Sequence, residues 1–133
     1  MVMAGWCCVC RCSGETVEHL LLQCPMSCQI WSFIFKLFGV DWVMLGCVLD
    51  QLACWRNWFG KHSSKVYNLV PSCVMWSLWR ERNNRNFENV EHFVGQVIEF
   101  CMGSIFYWAR AWGLTTSTSI GGFLESLRYP NAL

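Results

Sequence analysis

Four residues near the N-terminus, Cys7, Cys10, His19 and Cys24, follow the spacing Cys-x2-Cys-x8-His-x4-Cys. A Cys-x-x-Cys turn puts two thiols on one side of a tight bend. His19 and Cys24 can add two more donors from a second short element. Three sulfurs and one imidazole nitrogen are the donor set that a tetrahedral zinc ion takes. The spacing therefore predicts one structural zinc ion, held in a small knuckle or ribbon. Residues 1–28 hold six of the ten cysteines, so other pairings stay open. Cys8 and Cys12 form an alternative pair, and Cys28 is an alternative fourth ligand. A chance enrichment of buried cysteine in an apolar chain is a further alternative, and a disulfide framework is the most distant one.

No signal peptide is visible, because Met1-Val-Met-Ala-Gly-Trp6 has no basic region before an apolar run. Ten cysteines without such a signal point to a reducing, intracellular setting, nuclear or cytoplasmic. The chain has 133 residues, of which 54% are hydrophobic and 14% charged. A domain this small has too little interior to hide that much apolar surface. It is expected to be a piece of a larger protein, or to self-associate through the apolar surface. Membrane insertion is disfavoured. The longest stretch free of Asp, Glu, Lys and Arg, His19 to Phe35, is too short and too polar for a span.

The net charge of +1 gives no global field for nucleic acid or anionic lipid. Asp41 and Asp50 are the only aspartates, and they lie nine positions apart. Metal-dependent polymerases and nucleases need clustered carboxylates. The chain also has no glycine-rich phosphate loop and no Ser–His–Asp arrangement. It reads as non-catalytic, with no small-molecule substrate.

The expected fold is mainly α: an N-terminal zinc knuckle, about four or five helices, and a loose C-terminal tail. Glu15 to Leu22 reads as a short helix with Ser13 or Thr16 near its cap. Pro25 suits the first position of a helix running to about Phe38, with Ile30, Trp31, Ile34, Phe35 and Phe38 at helical spacing. Val48 to Trp58 reads as a shorter helix closed by Gly60. Ser63 or Ser64 caps the next one, which runs to about Asn83 with Pro71 expected to kink or restart it. The last long helix is expected from Val90 to Trp112, with Val94, Val97, Ile98, Cys101, Ile105 and Trp108 as its apolar stripe. Gly113 ends it, and a further turn of helix is expected near Phe123 to Leu127. Three regions result: 1–38 for the knuckle and first helices, 39–112 for a helical extension, and 113–133 for the tail.

A second block, Trp76-Ser-Leu-Trp79-Arg80-Glu81-Arg82-Asn83-Asn84-Arg85-Asn86-Phe87, carries a local excess of +2 over residues 80–85. Glu81 and Arg85 form a favourable i,i+4 pair. Arg80, Arg82 and Arg85 are candidate phosphate contacts for RNA or DNA, although so few contacts give weak, salt-sensitive binding. The alternative is that arginine stems cover apolar surface at a helix end. Trp76 and Trp79 read as buried packing residues. His62 and His92 stand without Cys or acidic partners at ligand spacing.

Taken together, Cys7-x-x-Cys10, Glu15-Thr16-Val17-Glu18-His19-Leu20-Leu21-Leu22-x-Cys24 and Trp31 resemble the reverse-transcriptase zinc-binding domain of plant LINE-type (non-LTR) retrotransposons. The Trp76–Phe87 block is similar to the Trp-x-x-Trp-x-Glu-Arg-Asn-x-Arg-x-Phe segment of the same proteins. The resemblance covers residues 6–112. It implies a zinc site at Cys7, Cys10, His19 and Cys24, and an origin C-terminal to an RNA-directed DNA polymerase. That upstream polymerase domain and its paired aspartates are absent from the sequence. The resemblance thus implies a short frame left from a decayed element or a truncated gene, with the missing polymerase domain as a former partner.

Overall fold

At the N-terminus the chain folds back on itself as a hairpin. Strand β1 (Val2–Trp6) pairs antiparallel with β2 (Gly14–Thr16), matching Val2 with Thr16 and Trp6 with Gly14. The register shifts between these two pairs, which marks a bulge in the short ladder. In the turn between the strands, the Arg11 amide donates to the Cys7 carbonyl at 2.8 Å. Arg11 itself takes a left-handed φ of 59°. The described residues of this computed structural model are 2–11, 14–37, 50 and 66–128. Phe38, Gly39, the expected helix Val48–Trp58, Gly60, His62 and the Ser63/Ser64 cap lie outside them.

After β2 the chain winds into a short helical segment whose last turn, His19–Gln23, is a π turn. Thr16 caps it, its hydroxyl accepting the His19 amide at 3.0 Å. Glu15, expected in the first helical turn, is instead the middle residue of β2 and is buried. Pro25 opens α1 (Pro25–Leu37), where its missing N–H leaves nothing unsatisfied. Ile30, Trp31, Ile34 and Phe35 form the buried face of α1. The Trp31 indole N–H donates to the Leu21 carbonyl at 2.8 Å, and the Ser27 hydroxyl donates to the Leu20 carbonyl. These two bonds fix α1 against the turn that carries His19.

Helix α2 (Val66–Asn83) runs through Pro71 without a break. The proline lies in the second turn, where it removes one backbone bond. Val66, Val70, Cys73 and Val74 are buried on both sides of it, so packing holds the helix continuous. A second π turn, Asn84–Glu88, extends α2, and Asn89 closes it with a left-handed φ of 56°. Helix α3 (Val94–Ala111) starts where the Phe93 amide donates to Gln96 Oε1 at 2.9 Å. It ends at Gly113, whose φ of +69° suits a residue without Cβ. Helix α4 (Ile120–Arg128) is capped by Ser119, whose hydroxyl accepts the Gly122 amide.

The core is built by α1, α2 and α3, with Leu22 added from the first π turn and Phe123 from α4. The fold is mainly α, as expected, with the cysteine-rich hairpin at one end. Two expectations about packing are corrected. Trp76 is 56% exposed rather than buried. Trp108 is also exposed and meets Tyr107 edge to face, while Ala109 takes the core position beside it. Among the described residues, no helix is long and apolar enough to cross a membrane.

Candidate metal centre

The hairpin turn delivers Cys7 and Cys10, and the first π turn delivers His19 and Cys24. The π winding explains the second spacing. On an α-helix, residues five apart point about 140° away from each other. In a π turn those residues are hydrogen-bonded neighbours, and here the Cys24 amide donates to the His19 carbonyl at 2.6 Å. The wider turn thus brings the imidazole and the last thiol to one place.

The ligand atoms of Cys7, Cys10, His19 and Cys24 all lie within 4.8 Å of one another. Cys7 Sγ is 4.0 Å from Cys24 Sγ, and Cys10 Sγ is 3.2 Å from His19 Nε2. Four donors at about 2.0–2.3 Å from a central ion form a tetrahedron with edges of roughly 3.3–3.8 Å. The two measured edges bracket that range, so the four residues are close enough to bind one metal ion. Cys7, His19 and Cys24 are buried, and Cys10 is partly exposed.

Burial pushes the Cys24 thiol up to about 12, and the nearby Cys7 and Cys10 sulfurs add to the rise. The Cys24 thiol therefore resists ionising in this setting. A bound divalent cation reverses the balance, because it compensates the thiolate charge directly. Core cysteines elsewhere are shifted in the same direction but have no partners for an ion among the described residues. Burial raises Cys73 to about 11 and Cys101 to about 12, and neither belongs to the four-residue cluster. They are packing residues.

The alternative ligands point elsewhere. Cys8 Sγ donates to the Arg82 carbonyl at 3.5 Å, and Cys28 Sγ donates to the Leu22 carbonyl at 3.3 Å. Cys12 lies outside the described residues. No disulfide forms among the described cysteines.

The three candidate phosphate-binding arginines have different surroundings. Arg80 is exposed, its guanidinium 3.9 Å above the Phe100 ring. Arg82 pairs with Glu15 at 2.7 Å, with the two side chains only 12% and 2% exposed. Arg85 pairs with Glu81 at 2.7 Å, with exposures of 10% and 3%. It also donates to the Val9 carbonyl at 2.9 Å and to the His92 carbonyl at 3.0 Å. Moving Arg82 onto a phosphate would strand the buried Glu15 carboxylate, a cost of roughly 3–5 kcal/mol, and moving Arg85 would give up its contacts to Glu81, Val9 and His92.

Sequence reasoning missed two participants. Glu81 accepts the His92 backbone amide at 2.9 Å and pairs with His92 Nδ1 at 2.7 Å. His92 therefore does have an acidic partner, eleven residues upstream. The Glu15–Arg82 pair spans 67 positions. No local pattern announces either contact, whereas the Glu81–Arg85 pair was readable as i,i+4. Comparison with family models, with curated proteins and with solved structures finds no match to this chain.

Proposed function

We propose that this chain is a non-catalytic zinc-binding module of the kind that follows the polymerase in LINE-type retrotransposon polyproteins. The observation that carries the metal part is the convergence of three thiols and one imidazole within 4.8 Å. Soft sulfur donors in a tetrahedral set favour zinc over magnesium or calcium. The ion would act as a clamp, joining the hairpin to the turn that leads into α1. The retroelement part is supported by the resemblance of Cys7–Trp31 and of Trp76–Phe87 to that family. Association with RNA or DNA belongs to the same proposal. Of the three arginines, exposed Arg80 is the best placed to meet a phosphate, and binding through it would be weak.

The test is metal analysis of the full chain purified from zinc-supplemented medium. It should carry about one zinc per chain. Cys10→Ser and His19→Ala should lose that metal, and unchanged metal in both variants would sink the assignment.

A second reading is favoured by the exposed aromatics Trp76, Phe87, Phe93, Tyr107 and Trp112. In it, the chain is a metal-free helical fragment that binds protein through apolar surface. That reading predicts indifference to chelators.

A further inference from the structure

The arginine block and the metal cluster meet in space although about sixty residues separate them in sequence. Val9 lies between Cys8 and Cys10 inside the ligand turn, and its carbonyl accepts Arg85 Nη1 at 2.9 Å. The same guanidinium is held by Glu81 at 2.7 Å and by the His92 carbonyl at 3.0 Å. Its position is therefore fixed from three sides. One turn earlier, Arg82 Nε donates to Glu15 Oε1 at 2.7 Å, and Arg82 Nη1 donates to Asn83 Oδ1 at 2.9 Å. Glu15 sits on β2, the strand that leads to His19. The backbone carbonyl of Arg82 also accepts the Cys8 thiol at 3.5 Å.

We infer that Arg82 and Arg85 are positioning residues for the metal site: through Glu15 and the Val9 carbonyl they hold both halves of the ligand loop in binding geometry. The inference rests on the zinc reading. A hairpin of five and three residues has little stability of its own. Docked on the end of α2, its turn is already shaped for the ion. Groups that orient metal ligands through hydrogen bonds commonly contribute 10–100-fold to metal affinity. The coupling runs both ways, because whatever tightens metal binding is tightened by it. Metal binding then stabilises the helical body as well as the knuckle.

The probe is cobalt(II), titrated into the full chain and followed by the visible bands of a tetrahedral thiolate site, with zinc competing it off. Arg82→Gln and Arg85→Gln should each weaken cobalt affinity by about 10–100-fold. They should also shrink the rise in Tm that zinc produces, a readout that a loss of general stability alone would leave intact. Arg80→Gln removes the same charge from the exposed neighbour and should leave both measurements unchanged. Glu15→Gln cuts the Arg82 contact from the knuckle side with both arginines in place, and should reproduce the Arg82→Gln loss. That variant keeps the question open to measurement if an arginine variant loses its helical circular dichroism. Equal affinity in wild type, Glu15→Gln and the folded arginine variants overturns the inference while leaving the zinc reading standing. A wild-type chain that takes up no cobalt overturns both.

Discussion

At the residue scale, the glutamates of the two buried ion pairs do different work. Glu15 reaches across the fold to Arg82, whereas Glu81 is the hub of a local cluster with Arg85 and His92. Burial alone would raise the Glu81 carboxyl. Hydrogen bonds from Arg85 and from the amide and ring of His92 outweigh it and hold the group below its ordinary value of 4.5. A carboxyl whose value is depressed on folding adds stability above its unfolded value. That stability fades as pH falls through the folded value. Glu81→Gln should therefore lower stability at pH 7 by roughly 3–5 kcal/mol, since Arg85 loses its buried partner. It should also flatten the fall in stability below pH 4.5 relative to wild type. Denaturant melts of both proteins in chelator, from neutral pH downward, check this without the acid release of zinc from its thiolates. Parallel pH curves would show that Glu81 contributes nothing specific to acid sensitivity.

At the element scale, what could be read from the sequence was local. Pro25 opens α1, Gly113 follows α3, and Thr16 caps the turn carrying His19, each because its backbone chemistry acts within a few residues. The ligand spacing was legible for the same reason. The face of α2 was not. Its apolar residues include Val66, Leu69, Val70, Val74, Met75, Trp76, Leu78 and Trp79, which surround the helix rather than forming a stripe. Only packing against α1 and α3 decides that Val70 and Val74 go inward while Trp76 stays out. Helix α4 was visible only as a turn near Phe123. The reason for its docking is tertiary: Phe123 is 1% exposed and its ring lies 5.3 Å from that of Phe106. Phe123→Ala should cost about 3–5 kcal/mol, read as a lower Tm by differential scanning calorimetry. A change below the usual surface range of about 0.5 kcal/mol would mean that α4 adds nothing to the core.

At the scale of the whole molecule, the two proposed modes of association have opposite responses to salt. Binding to RNA or DNA releases counterions and weakens as salt rises. Association through aromatic surface has no such release and persists, or strengthens with excluded salts such as sulfate. The surface favours the second mode. Arg82 and Arg85 are occupied by buried carboxylates, leaving Arg80 as the exposed cation of that block. Meanwhile Trp76 projects from α2, and Tyr107 and Trp108 project from α3. More than half of the 133 residues are hydrophobic, consistent with a surface that seeks a cover. The zinc-loaded chain should therefore show a concentration-dependent rise in mass by sedimentation equilibrium, and raising the salt should not reverse it. Trp76→Glu and Tyr107→Glu place a charge on that surface without touching the metal ligands, so they should restore a single-chain mass while keeping bound zinc. Dissociation by salt alone, with the aromatic variants behaving as wild type, would assign the association to charge and return Arg80 to the centre of the question.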